Sequence, residues 1–148
     1  MSKKLVLLAC AVAAFSTAAI TAQADETNPV IVHRQGIYKQ VSGHMNGLKA
    51  ALFLKGGTEN LVWDAENIVD SFKHMGAAYP EGSDKGETKA KSNIWTERAK
   101  FDDAGKKAFG AALALVDVTK TGDVAKSADA FKALGAACKA CHEDFKKD

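Results

Sequence analysis

The sequence is most informative first in what it lacks. Two prolines in 148 residues are too few for a proline-rich linker. A formal charge of +2 gives no reason to expect nucleic acid or a strongly anionic membrane as partner. No strand-like alternation of useful length occurs, which argues against a sheet. Cysteine is scarce as well: there are three, an odd number that a simple disulfide framework would leave unpaired. The apolar share of 47% and the charged share of 26% are those of an ordinary globular domain.

The N-terminus changes two of these counts. Met1-Ser2-Lys3-Lys4 precedes an apolar run from Leu5 to Phe15, and a small, polar stretch then ends at Ala22-Gln23-Ala24. Two lysines, an apolar core and an Ala-x-Ala end are the parts of a secretory signal peptide. The core is shorter than the roughly 20 apolar residues of a membrane-spanning helix, so cleavage after Ala24 is expected over an uncleaved anchor. The domain division is therefore 1–24 signal and 25–148 mature chain, with no membrane span in the latter. Removing 24 of 148 residues leaves 124. Lys3 and Lys4 leave with the signal, so 20 basic residues fall to 18 against 18 acidic ones, for zero net charge. Cys10 leaves too, and only Cys138 and Cys141 remain, in an exported and oxidising setting.

Helical periods fill the mature chain. Asn28-Pro29 is a helix start, with a capping side chain before a proline at the first helical position. Ile31, Arg34, Tyr38, Val41, Met45, Leu48 and Leu52 then recur at alternating spacings of three and four, which is one helical face. Gly56-Gly57 is the expected stop. Thr58 is the expected cap of a second helix carrying Leu61, Ala65, Ile68, Phe72 and Met75. Residues 80 to 93 have breaks at Pro80, Gly82 and Gly86 and no apolar period, a long loop that is either a solvated connector or functional. A third helix opens around Ile94-Trp95 and carries Phe101, Ala104, Ala108, Ala111, Leu115 and Val118. Asp123 caps the fourth, whose seam is Val124, Ala128, Phe131, Gly135, Cys138, His142 and Phe145. Four helices of about 20 residues, each roughly 30 Å long, joined by short, long and short connections, make an all-α antiparallel up-down-up-down bundle. Seams rich in alanine and glycine allow either close helix approach or room for something flat.

Cys138-Lys139-Ala140-Cys141-His142 is a C-x-x-C-H motif, the attachment signature of c-type haem. Two thiols add to the two porphyrin vinyl groups as thioethers, and the adjacent imidazole ligates the iron. On a helix, Cys141 lies about 60° to one side of Cys138 and His142 about 40° to the other, so all three point into one arc. A thioredoxin-like pair would sit near a β-α-β pattern, which is absent. Zinc would need a fourth ligand, and no cysteine remains to supply one. A plain disulfide would leave His142 on an apolar seam unexplained.

The other face of the iron is less determined by the residues. His33, His44 and His74 fall off the seams and read as solvent-exposed. Met45 and Met75 lie on seams, where methionine is more often packing than ligand. Arg34 and Tyr38 occupy core-facing positions one turn apart. A buried guanidinium calls for a charge partner, and a haem propionate would serve, with the tyrosine over the porphyrin. The alternative is a frayed helix start that leaves both in solvent.

These residues together resemble cytochrome c′, the class II c-type cytochromes. The resemblance rests on C-x-x-C-H close to the C-terminus, on Arg34-Gln35 early in helix one and on Ile94-Trp95 opening helix three, and it covers essentially the whole mature chain. It implies a left-handed antiparallel four-helix bundle with one haem c, attached through Cys138 and Cys141. His142 would be the only protein ligand of a five-coordinate, high-spin iron, and Tyr38 would sit over the vacant face. Arg34 and Gln35 would contact the haem edge and propionates, with Glu87 and Thr88 adding contacts from the loop. The resemblance further implies a periplasmic protein, often a homodimer packed through its first two helices. Such proteins bind nitric oxide and carbon monoxide or pass single electrons to a redox partner, here unidentified. No enzyme activity is expected, because peroxidase chemistry needs a distal acid-base histidine and none shares the seam with Tyr38. The rival expectation is a pure electron carrier with a six-coordinate, low-spin haem.

Overall fold

The computed structural model describes residues 28–148, so the signal segment expected over residues 1–24 lies outside the described residues. Five α-helices follow in order: α1 Pro29–Phe53, α2 Leu61–Lys73, the single turn α3 Asn93–Thr96, α4 Arg98–Thr119 and α5 Val124–Phe145. The four long ones form the expected antiparallel bundle. Helix α1 packs on α2, α2 on α4 and α4 on α5, whereas α1 and α5 meet only sparsely.

The ends of these helices follow the chemistry of their flanking residues, with three departures. Asn28 caps α1, its side chain accepting from the Val30 N–H at 3.0 Å, with Pro29 next in line. Asp123 caps α5 in the same way, accepting from the Lys126 N–H at 3.0 Å. The stop of α1 departs from expectation: Lys55, not a glycine, takes the left-handed conformation (φ 59°), and the Gly56 N–H closes onto the Ala50 carbonyl at 3.0 Å. Thr58 does not cap α2. Its carbonyl instead accepts from the Leu61 N–H in a turn, and α2 begins at Leu61 with no side-chain cap, 13 residues long. The third expected helix is two pieces, because Glu97 (φ −116°, ψ 41°) leaves the helical region between α3 and α4.

The apolar stripes meet in two clusters. The larger joins Val41 and Leu48 of α1 with Ala65 and Ile68 of α2, Ala112 and Leu115 of α4, and Leu134 of α5. The smaller, at one end of the bundle, holds Ile37, Ala78, Tyr79, Ile94 and Phe145, with Tyr38, Phe101 and Cys141 packed against it. The fully buried positions of α5 are Ser127, Leu134 and Phe145. Of the rest of the expected seam, Ala128, Phe131, Gly135 and Cys138 are half-buried and Val124 and His142 are exposed. This seam borders the side where α1 and α5 scarcely touch. Among the described residues, no helix is long and apolar enough to cross a membrane.

Candidate functional site

The last two turns of α5 present Cys138, Cys141 and His142. Both cysteines are half-buried and free. Burial pushes both thiols above their ordinary pKa, aided at Cys141 by the neighbouring Cys138 and Asp144. They are therefore S–H groups at neutral pH, the form whose hydrogen is conserved when S–H adds across a vinyl group. Desolvation, and then the Lys146 ammonium, hold the exposed His142 imidazole below its ordinary pKa. That leaves a nitrogen lone pair available at neutral pH. Cys138 and His142 open onto a cavity of about 400 Å³, which Met45 of α1 and Gly135 of α5 also line.

Across from them, the first turns of α1 organise the long loop. Arg34 is 3% exposed. One terminal nitrogen donates to the Ala78 carbonyl at 3.1 Å and Ser83 Oγ at 3.0 Å, and the other to the Ser83 carbonyl and Thr88 Oγ1, both at 2.9 Å. Gln35 Nε2 donates to the Glu87 carbonyl at 2.8 Å. The helix start is therefore not frayed. Carbonyls and hydroxyls of the loop accept all four of these bonds. Thr88 and Glu87 meet the Arg34-Gln35 pair directly, Thr88 through its hydroxyl and Glu87 through its backbone.

The loop in turn grips the end of α5. Ala90 and Lys146 form an antiparallel bridge, and the Lys91 N–H donates to the Phe145 carbonyl at 2.9 Å. Lys91 Nζ reaches the Glu143 carbonyl at 2.8 Å, and Asn93 Nδ2 the Asp144 carbonyl at 3.2 Å. A chain of polar contacts thus runs from Arg34 through the loop to the helix turn that carries His142.

Tyr38 is half-buried, and its hydroxyl lies 2.8 Å from that of Tyr79. The Arg34 guanidinium sits over the Tyr79 ring, 4.7 Å from its centre. Desolvation raises the pKa of both phenols. Sequence reasoning missed Tyr79 and Ser83. Tyr79 lies outside every apolar stripe, so the periodicity did not mark it, and Ser83 carried no signal. His33 and His74 are exposed as expected. His44 is not: its Nδ1 lies 2.8 Å from Asp64 Oδ1, and its ring is edge-on to Trp63.

The donor set suits a haem. Two free thiols and an unprotonated imidazole share one arc of one helix, and the cavity beside them lies where α1 and α5 draw apart.

Comparison with known proteins agrees with this geometry. The family model described as cytochrome C′ matches residues 29–146. A cytochrome c′ from Rhodospirillum rubrum is 33% identical over 147 residues, 98% of this chain and 99% of its own. The crystal structure of cytochrome c′ from Rubrivivax gelatinosus is similar with a TM-score of 0.76 at 29% identity, covering 84% of this chain and all of that one. A second solved structure, a cytochrome c′ with an unusual ligand-controlled dimer dissociation, gives a TM-score of 0.76 at 30% identity over 80% of this chain and 95% of its own. With the attachment motif on the last helix and a bundle that matches these structures along their length, the chain belongs to the cytochrome c′ family and binds haem c.

Proposed function

We propose that this is a periplasmic mono-haem cytochrome whose iron takes His142 as its only protein ligand, leaving the face under Tyr38 open to nitric oxide and carbon monoxide. The haem supplies a redox-active iron with one exchangeable position, and the chain supplies everything that governs access to it. Cys138 and Cys141 tether the group, and His142 orients it from α5. Arg34 and Gln35 hold the loop against α1 through Ser83, Glu87 and Thr88. The observation that carries the open-face reading is Tyr38. It packs in the same cluster as Cys141, and its hydroxyl is engaged by Tyr79. A phenol with raised pKa stays neutral at physiological pH and is a poor iron ligand.

None of His33, His44 and His74 belongs to that cluster. They line a groove between α1 and α2, so no distal acid-base imidazole supports peroxidase chemistry and the protein is a binder or carrier. Exposed Val32 on α1 and Trp63 on α2 support a homodimer packed through these helices. The alternative reading is an electron carrier with a low-spin haem passing electrons to an unidentified partner. It rests on Met45, whose side chain lines the cavity of Cys138 and His142. Titrating the ferrous protein with nitric oxide, followed by an electrode, tests the choice. Uptake of one molecule per haem supports the open face, and no uptake leaves the carrier.

A further inference from the structure

The chain contains two tyrosines, and they are hydrogen-bonded to each other. At 2.8 Å the distance permits either hydroxyl to donate, so the surroundings decide the direction. Tyr79 is the rigid member. It is 6% exposed, edge-on to Phe101 at 4.8 Å and close to Trp95. A fixed cation lies over its ring, because Arg34 is immobilised by four bonds to the loop. That positive charge favours the developing negative charge on a donating phenol oxygen. Among the described residues no cation lies over the Tyr38 ring, so the Arg34 charge favours Tyr79 as the more acidic phenol of the pair. In a pair of neutral phenols the stronger acid donates and the weaker accepts.

We propose that Tyr79 donates to Tyr38, leaving the Tyr38 hydrogen to point out of the pair toward the open haem face. Tyr79 is then a positioning residue, and Arg34, Tyr79 and Tyr38 form a relay that makes Tyr38 a stronger donor than an isolated phenol, because chained hydrogen bonds polarise one another. The relay favours ligands that carry negative charge on their outer atom, and carbon monoxide gains least from it. The inference rests on the open-face reading above.

The test is the infrared stretching frequency of carbon monoxide on the ferrous protein, in wild type, Tyr79→Phe and Tyr38→Phe. Both substitutions keep the ring and remove only a hydroxyl. Donation to the ligand lowers this frequency. The expected order is wild type lowest, Tyr79→Phe higher and Tyr38→Phe highest. An unchanged or lower frequency in Tyr79→Phe overturns the proposal, since it would mean that Tyr38 donates to Tyr79 and is released by the substitution. Failure of the wild type to take up carbon monoxide overturns the open-face reading and this inference with it. A bound gas with no ordering among the three proteins overturns this inference alone. The tyrosine doublet in the ultraviolet Raman spectrum gives a reading that needs no gas. With two tyrosines in the chain, wild type minus Tyr38→Phe and wild type minus Tyr79→Phe assign each ring. Tyr79 is expected as a donor, and a Tyr79 acceptor signature would refute the direction.

Discussion

Arg34 offers the sharpest test of how the site is held. Replacing it with methionine keeps most of the buried volume and removes the fork that binds Ala78, Ser83 and Thr88. A hydrogen bond to a charged donor contributes roughly 1.5–3 kcal/mol singly. Four on one side chain are not additive, and part of the loss is offset because the guanidinium no longer has to be desolvated. No charge is orphaned by the change, and each neutral acceptor left buried without a donor costs about 1–3 kcal/mol. Because the loop's acceptors regain some water, about 3 kcal/mol is the expected loss for Arg34→Met. At about 4 °C per kcal/mol for a domain of this size, that lowers Tm by roughly 12 °C. Arg34→Lys keeps the charge but lacks the planar fork and recovers about half. Thermal unfolding of the holoprotein by circular dichroism measures both, and limited proteolysis should cut the variant first within residues 80–92. A stability change under about 1 kcal/mol with an uncut loop would refute this assignment. If only the haem spectrum or reduction potential moved, the guanidinium would be serving the propionates and not the loop.

Other outcomes follow from single observations. Cys138→Ser and Cys141→Ser each leave one thioether, so the alkaline pyridine spectrum should shift toward that of a singly attached haem, and the double variant should release the haem to acid-acetone extraction. Both phenols are raised from 10.0 on folding, so the unfolded chain loses protons first as pH rises. Stability is therefore full below pH 10 and falls above it, by up to about 1.4 kcal/mol per pH unit for each tyrosine. Urea midpoints between pH 9 and 12 should show this, and Tyr38→Phe should flatten the slope. Gly47→Ala would place a Cβ 2.6 Å from Asp64 Oδ2. Asp64 is pinned by His44, so overpacking of about 1–3 kcal/mol outweighs the helix propensity gained, about 1 kcal/mol. A urea midpoint at or above that of wild type would show that Asp64 yields freely.

The bundle was legible because each long helix carries an unbroken three-four stripe, and because Asn28 and Asp123 are strong caps at the right places. The attachment site was legible because its chemistry is local, with three residues on two turns of one helix. What escaped the sequence was set by contacts distant along the chain. Glu97 interrupts the third helix without any glycine or proline to announce it. The stripe marked Arg34 as core-facing, but only the fold brings in the neutral acceptors of a loop 44 to 54 residues away. His44 looked exposed because Asp64, its partner, stands on another helix. Tyr79 sits outside every stripe, and only the fold brings its hydroxyl to Tyr38. The half-buried seam of α5 reflects the same limit: a stripe can be recognised from its period, but how closely the facing helix approaches cannot.

The proposed function turns on an iron held by His142 alone, with its other face open beneath Tyr38. The absorption spectrum of the ferrous protein at neutral pH, before and after carbon monoxide, tests it most directly. A five-coordinate iron gives a high-spin spectrum with a broad Soret band that sharpens and moves when the gas is added. A low-spin spectrum with resolved α and β bands, unchanged by carbon monoxide, would contradict it and identify a second protein ligand, with Met45 the first residue to replace.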